Sequence, residues 1–68
     1  MFKKNELVAE IIRKGYKIED FAKIVGLNPA TLYRKMNGKT DFYRNEIVKI
    51  AEILDLSNRA ICNIFFGK

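Results

Sequence analysis

Histidine is absent from this chain of 68 residues, and Cys62 is its only cysteine. An internal disulfide is therefore excluded, as is a zinc site built from the usual cysteine and histidine ligands. The same shortages remove the commonest general base and the usual nucleophile–base pairs. Carboxylates remain, but Glu6, Glu10, Glu19, Asp20, Glu46 and Glu52 fall at ordinary solvated helix positions, and no pair of them stands out for acid–base work. A chain this short also has little room for a substrate cleft. The expectation is a protein that is not an enzyme, with no cofactor, no metal and no small-molecule ligand.

Long apolar runs are missing too. No stretch approaches the roughly 20 residues needed to span a bilayer. The opening MFKKNELV lacks the apolar block of a signal peptide, because Glu6 and Glu10 interrupt it. Both observations point to a cytoplasmic protein with no membrane partner. There is no low-complexity tract and no internal repeat, and no proline follows Pro29. With 49% hydrophobic residues the chain can still bury a core of modest size, so residues 1–68 are expected to form one globular domain.

Acidic residues are missing from one long segment. The formal net charge is +5, yet its distribution says more than its sum. Between Asp20 and Asp41 there is no acid, whereas Lys23, Arg34, Lys35 and Lys39 all fall there. A basic face is often only a solvated one. Here it coincides with the segment that carries the strongest motif, which favours an anionic partner.

What the sequence does contain is apolar residues at helical spacing, with no convincing strand-like alternation. Leu7, Ile11 and Ile12 mark a first helix, with Asn5 as its cap and Gly15 as its stop. Phe21, Ala22 and Val25 give the inner face of a second, ended by Gly26. The third runs from Pro29 to Met36, with Asn28 as cap, proline in its first turn and Gly38 after its end. A loop, NGKTDFY, follows, with Phe42 as a buried anchor. Ile47, Ile50, Ala51 and Leu54 mark a fourth helix. After Asp55-Leu56-Ser57, Ser57 or Asn58 caps a fifth through Ile61, Ile64 and Phe65. Five short helices with short connections make a compact all-α domain.

The third helix commits only Leu32 and Met36 to a core. Joined to the helix before it, in IEDFAKIVGLNPATLYRKMN, it reads as a helix-turn-helix over about 18–37. Ala22 is small where the two helices must cross closely. Gly26 can take the positive φ of the turn. Phe21, Val25, Leu27 and Leu32 fill the angle between the helices, and Asn28 leaves the N-terminal amides of the third helix facing outward.

With these residues, the NGK of Asn37, Gly38 and Lys39 and the later IVKIAEILDLS, the chain resembles the phage Cro and lambda-type repressor helix-turn-helix family over about residues 6–65. The resemblance implies a five-helix lambda-repressor-like domain that regulates transcription by sequence-specific DNA binding. Its third helix would enter the major groove, and a homodimer would occupy a pseudo-palindromic operator on double-stranded DNA in a bacterial host cell. Two positions depart from the family pattern. Ile18 stands where a phosphate-touching glutamine is frequent, with Lys17 beside it as a substitute. Lys35 stands where an apolar residue is expected, with Met36, about 40° round the helix from Leu32, as the core contact instead.

By the same resemblance, positions matching Asn28, Pro29, Ala30 and Arg34 lie over base edges or the adjacent backbone. Arg34 is the foremost base reader, since a guanidinium can bond O6 and N7 of guanine together; its plain alternative is a surface arginine. Ala30 can meet a thymine methyl or simply favour the helix. Tyr33 can reach a phosphate or sugar edge, or pack on the neighbouring loop. Backbone contacts fall to Asn28, Thr31, Lys17, Lys39, Thr40 and Arg44. Lys3, Lys4 and Lys49 read as solubility charges, and Glu46 and Glu52 as the solvated face of the fourth helix. In the closing AICNIFFGK, Ile61, Phe65 and Phe66 offer a dimer surface, with full burial as the alternative. Cys62 reads as a small, half-buried hydrophobe. The rival function is a protein-interaction module on the same fold, an antirepressor or antitoxin-like partner.

Overall fold

Why each helix begins and ends where it does is visible in its flanking residues. The computed structural model of the chain describes residues 2–67. It contains five helices, α1 (Lys4–Arg13), α2 (Ile18–Val25), α3 (Pro29–Met36), α4 (Arg44–Leu54) and α5 (Asn58–Phe66), and no strand among the described residues. The expected all-α architecture is therefore the observed one.

Helix α1 starts one residue before the expected cap. Lys3 occupies the N-cap without a side-chain hydrogen bond, and Asn5 lies inside the first turn. The backbone explains the shift, because Lys3 N–H donates to Ile64 O at 2.7 Å and so holds the chain against α5. Leu7 and Ile11, four residues apart, point into the core, whereas Ile12, a further 100° round, is 62% exposed and is not a core residue.

Helix α2 buries Phe21, Ala22 and Val25. It ends on Gly26, whose φ of +90° lets both its own N–H and that of Leu27 turn back to Ala22 O, at 3.0 and 2.8 Å. A Cβ there would meet only Lys49 Nζ, at 3.7 Å, so the backbone angle and not the space requires glycine. Two residues later Asn28 accepts the Ala30 N–H at 2.8 Å and starts α3, with Pro29 preset in its first turn. Helices α2 and α3 pack directly on each other, as do α1 with α2 and α5, and α2 with α4.

Ser57, not Asn58, caps α5 by accepting the Ala60 N–H at 3.1 Å. Helix α4 ends less comfortably, on Asp55 with φ +52°. One continuous core joins all five helices through Leu7, Ile11, Phe21, Leu32, Ile50 and Ile64 with their neighbours. Phe42 is half-buried as an anchor: its ring lies 5.1 Å from Phe2 and 5.4 Å, edge-on, from Phe65, and Phe2 and Phe65 are 5.6 Å apart. This aromatic seam gathers the N-terminus, the α3–α4 loop and α5. Among the described residues no helix is long and apolar enough to cross a membrane.

Candidate nucleic-acid interface

The surface of α3 divides cleanly. Leu32, Lys35 and Met36 are buried, and they occupy one side of an eight-residue helix. On the other side Ala30, Tyr33 and Arg34 are exposed, with Thr31 and Pro29 half-buried at the flanks. The helix has no acidic residue in its first turn, and Arg34 and Lys35 lie in its last. Among the candidate backbone contacts, Asn28 is exposed at the N-cap but spends its side-chain oxygen on the Ala30 amide. Lys39 and Thr40 are exposed in the loop after α3, and Arg44 is exposed as the first residue of α4. Lys39 N–H donates to Arg34 O at 2.9 Å, which folds the start of the loop back on the helix end. Lys17 is exposed at the N-cap of α2, where Ile18 beside it is half-buried and packs on the core.

Lys35 does not belong to the basic surface. Its side chain is 5% exposed, and its Nζ lies 3.1 Å from Glu46 Oε1, donates to Asp41 O at 2.9 Å and stands 3.9 Å above the Tyr43 ring. Glu46 is correspondingly buried and also accepts the Tyr43 N–H at 2.7 Å, closing the first turn of α4. It is therefore not a solvated residue of α4, contrary to expectation. The ion pair survives burial because each partner has further hydrogen bonds; among the described residues no buried side-chain nitrogen or oxygen lacks one. Spacing held a clue to this pair. Lys35 follows Leu32 by three and Glu46 precedes Ile50 by four, so both occupy slots of an apolar stripe.

Three lysines expected as plain solubility charges also make specific bonds. Lys3 Nζ donates to Asn63 Oδ1 at 2.7 Å and Lys4 Nζ to Asn37 Oδ1 at 2.8 Å. Lys49 Nζ reaches Val25 O at 3.4 Å, a cation at the carbonyl end of α2 just before the Gly26 turn. All three side chains belong to exposed residues, so their bonds steer orientation more than stability.

The C-terminal candidates divide as well. Phe65 is 8% exposed and belongs to the core and the aromatic seam, so it is not available to a partner. Ile61 is half-buried against the core, and Phe66 is 52% exposed. Phe66 and Thr40 edge a hollow of about 350 Å³ beside Lys35 and Phe42. Cys62 is exposed instead of half-buried, since it falls on the outer side of α5. Among the described residues no three acidic or cysteine side chains gather as a metal site would need.

These features define a small all-helical domain in which the exposed side of α3 and the start of the following loop, residues 21–40, carry cations and no acid, with exposed Asp41 just beyond them. The chain belongs to the family described as "Protein of unknown function (DUF739)", whose model matches residues 1–68. A comparison with curated proteins gave no match.

Proposed function

We propose that this protein is a sequence-specific DNA-binding regulator of the phage or prophage Cro-like kind, which acts by occupying an operator with α3 in the major groove. The observation that carries the reading is the division of α3. A helix with only one side committed to the core presents Ala30, Tyr33 and Arg34 outward from a segment without a single acid. A helix of this size fits the major groove, where each base pair shows a distinct pattern of donors and acceptors. Burial of Lys35 leaves Lys23, Arg34 and Lys39 as the exposed cations between residues 21 and 40.

In this reading Arg34 reads guanine, Ala30 offers a methyl contact and Pro29 and Tyr33 shape the approach. Asn28, Thr31, Lys17, Lys39, Thr40 and Arg44 hold phosphates. A homodimer would set two such helices about 34 Å apart on a pseudo-palindromic site. Phe66 and the half-buried Ile61 remain candidates for its interface. The protein acts without a cofactor, catalyses no reaction and works in the cytoplasm of a bacterial host.

Selection of bound sites from a random duplex pool tests the whole proposal. A recovered palindrome is the expected result, with affinity that falls linearly in log–log salt. Absence of any duplex binding at low salt, with folded protein in excess, would remove it. The rival, a protein-interaction module, draws on one observation, the exposure of Tyr43, Val48 and Phe66.

A further inference from the structure

We propose that Lys35 is a positioning residue that locks the α3–α4 loop to α3, so that the phosphate-binding and base-reading groups form one rigid unit. This rests on the DNA-binding reading above. The loop, residues 37–43, carries Lys39 and Thr40 and delivers Arg44 at the start of α4. Its first turn is tied by backbone bonds from Gly38 to Lys35 O and from Lys39 to Arg34 O. Beyond that the tethers thin out. Among the described residues, the backbone of Thr40, Asp41 and Phe42 makes one hydrogen bond, and it is accepted by Asp41 O from Lys35 Nζ at 2.9 Å.

The Phe42 ring pins the far side of the loop against Phe2 and Phe65, an apolar contact without directional preference towards α3. Lys35 supplies that direction. From α3 it reaches the loop at Asp41 O, the Tyr43 ring at the N-cap of α4, and Glu46 in the first turn of α4. One side chain thus joins the helix of Arg34 to the segment of Lys39, Thr40 and Arg44. Phosphate contacts fix register only when they are held at set distances from the groups that read bases, and an ordered loop avoids the entropy of ordering on binding.

The test uses Lys35→Met combined with Glu46→Gln, which removes both charges together and keeps the Tyr43 acceptor, so the fold survives. Amide nitrogen relaxation of the free protein is read first. Order parameters at residues 40–42 should fall from the rigid value of about 0.85 towards 0.6; unchanged values overturn the lock. Next, Thr40→Ala is placed in the wild-type and double-variant backgrounds, and duplex affinity is measured at fixed salt. In the wild type it should weaken binding about 2- to 12-fold, as loss of one hydrogen bond does. In the double variant that loss should largely vanish, while the fold-losses from Arg34→Ala and from Lys39→Ala, whose backbone is tied to Arg34 O, stay the same. A merely structural role would leave the Thr40 increment intact, and that result overturns positioning. If the wild type binds no duplex, the DNA reading falls and the positioning role with it; the order parameters then still uphold or remove the lock itself.

Discussion

Charge balance inside the fold makes a sharp stability prediction at Lys35 and Glu46. Lys35→Met alone leaves the Glu46 carboxylate, with about a tenth of its side chain exposed, without its cation. Breaking a buried pair in this way costs about 3–5 kcal/mol. At ~0.05–0.15 kcal/mol per residue, a domain of 68 residues has only about 3–10 kcal/mol in all. The single variant should therefore lose about three-tenths or more of its stability, with Tm lowered by at least ~12 °C. Glu46→Gln alone keeps an oxygen for the Tyr43 amide and leaves Lys35 with Asp41 O and the Tyr43 ring, so about 1–2 kcal/mol is expected. The double variant replaces the aliphatic stem of lysine by methionine and orphans no charge. It should lie within ~1 kcal/mol of the wild type, as apolar replacement of buried pairs is frequently near neutral. Thermal and urea unfolding followed by far-UV circular dichroism gives all four values. If the double variant is as unstable as Lys35→Met, the damage comes from lost packing, and the charge argument is refuted.

Three further perturbations address the surface and the backbone. Arg34→Ala should cost about 1–3 kcal/mol at the selected site and relax preference at one base pair; equal loss on cognate and random duplex would reduce Arg34 to a phosphate contact. Asp55→Asn should stabilise by about 0.5–1 kcal/mol, because it removes a negative charge at the C-terminus of α4 while asparagine tolerates the left-handed φ of +52°. A thermal midpoint that stays put or falls would show that the carboxylate is favourable there. Phe66→Ser should shift sedimentation towards monomer with the Tm of the monomer nearly constant, whereas an unchanged association constant would exclude Phe66 from a dimer surface.

Much of this fold was legible because helix periodicity and capping chemistry are local. Phe21, Ala22 and Val25, the Gly26 turn and the Asn28 cap with Pro29 follow from spacing and backbone preference alone. Where tertiary contact decides, the sequence misleads. Asn5 is a better intrinsic cap than Lys3, but the bond from Lys3 N–H to Ile64 O moves the start of α1. Ile12 looks like core until the 100° step carries it past the buried face. For the candidate site, the outward set on α3 was readable from the positions of Leu32 and Met36. The inward turn of Lys35 was signalled only by its place in an apolar slot and was easily overruled, since lysine is rarely buried and its partner lies in the next helix. Phe65 and Phe66 are adjacent and alike in chemistry; only the Phe2–Phe42–Phe65 packing distinguishes them.

That aromatic seam has a kinetic meaning. Together with the bond between Lys3 and Asn63, sixty residues apart, it joins the two ends of the chain. Closing a loop of that length costs about 3–4 kcal/mol in chain entropy, whereas the α2–α3 corner closes over a few residues. The seam should then form after the transition state, as the latch of an already assembled helical body. Phe2→Ala would accelerate unfolding and leave refolding almost unaltered, a φ-value near zero; a value near one would place the chain ends in the folding nucleus. A latch of that kind governs how long the native state persists, not how fast it is reached.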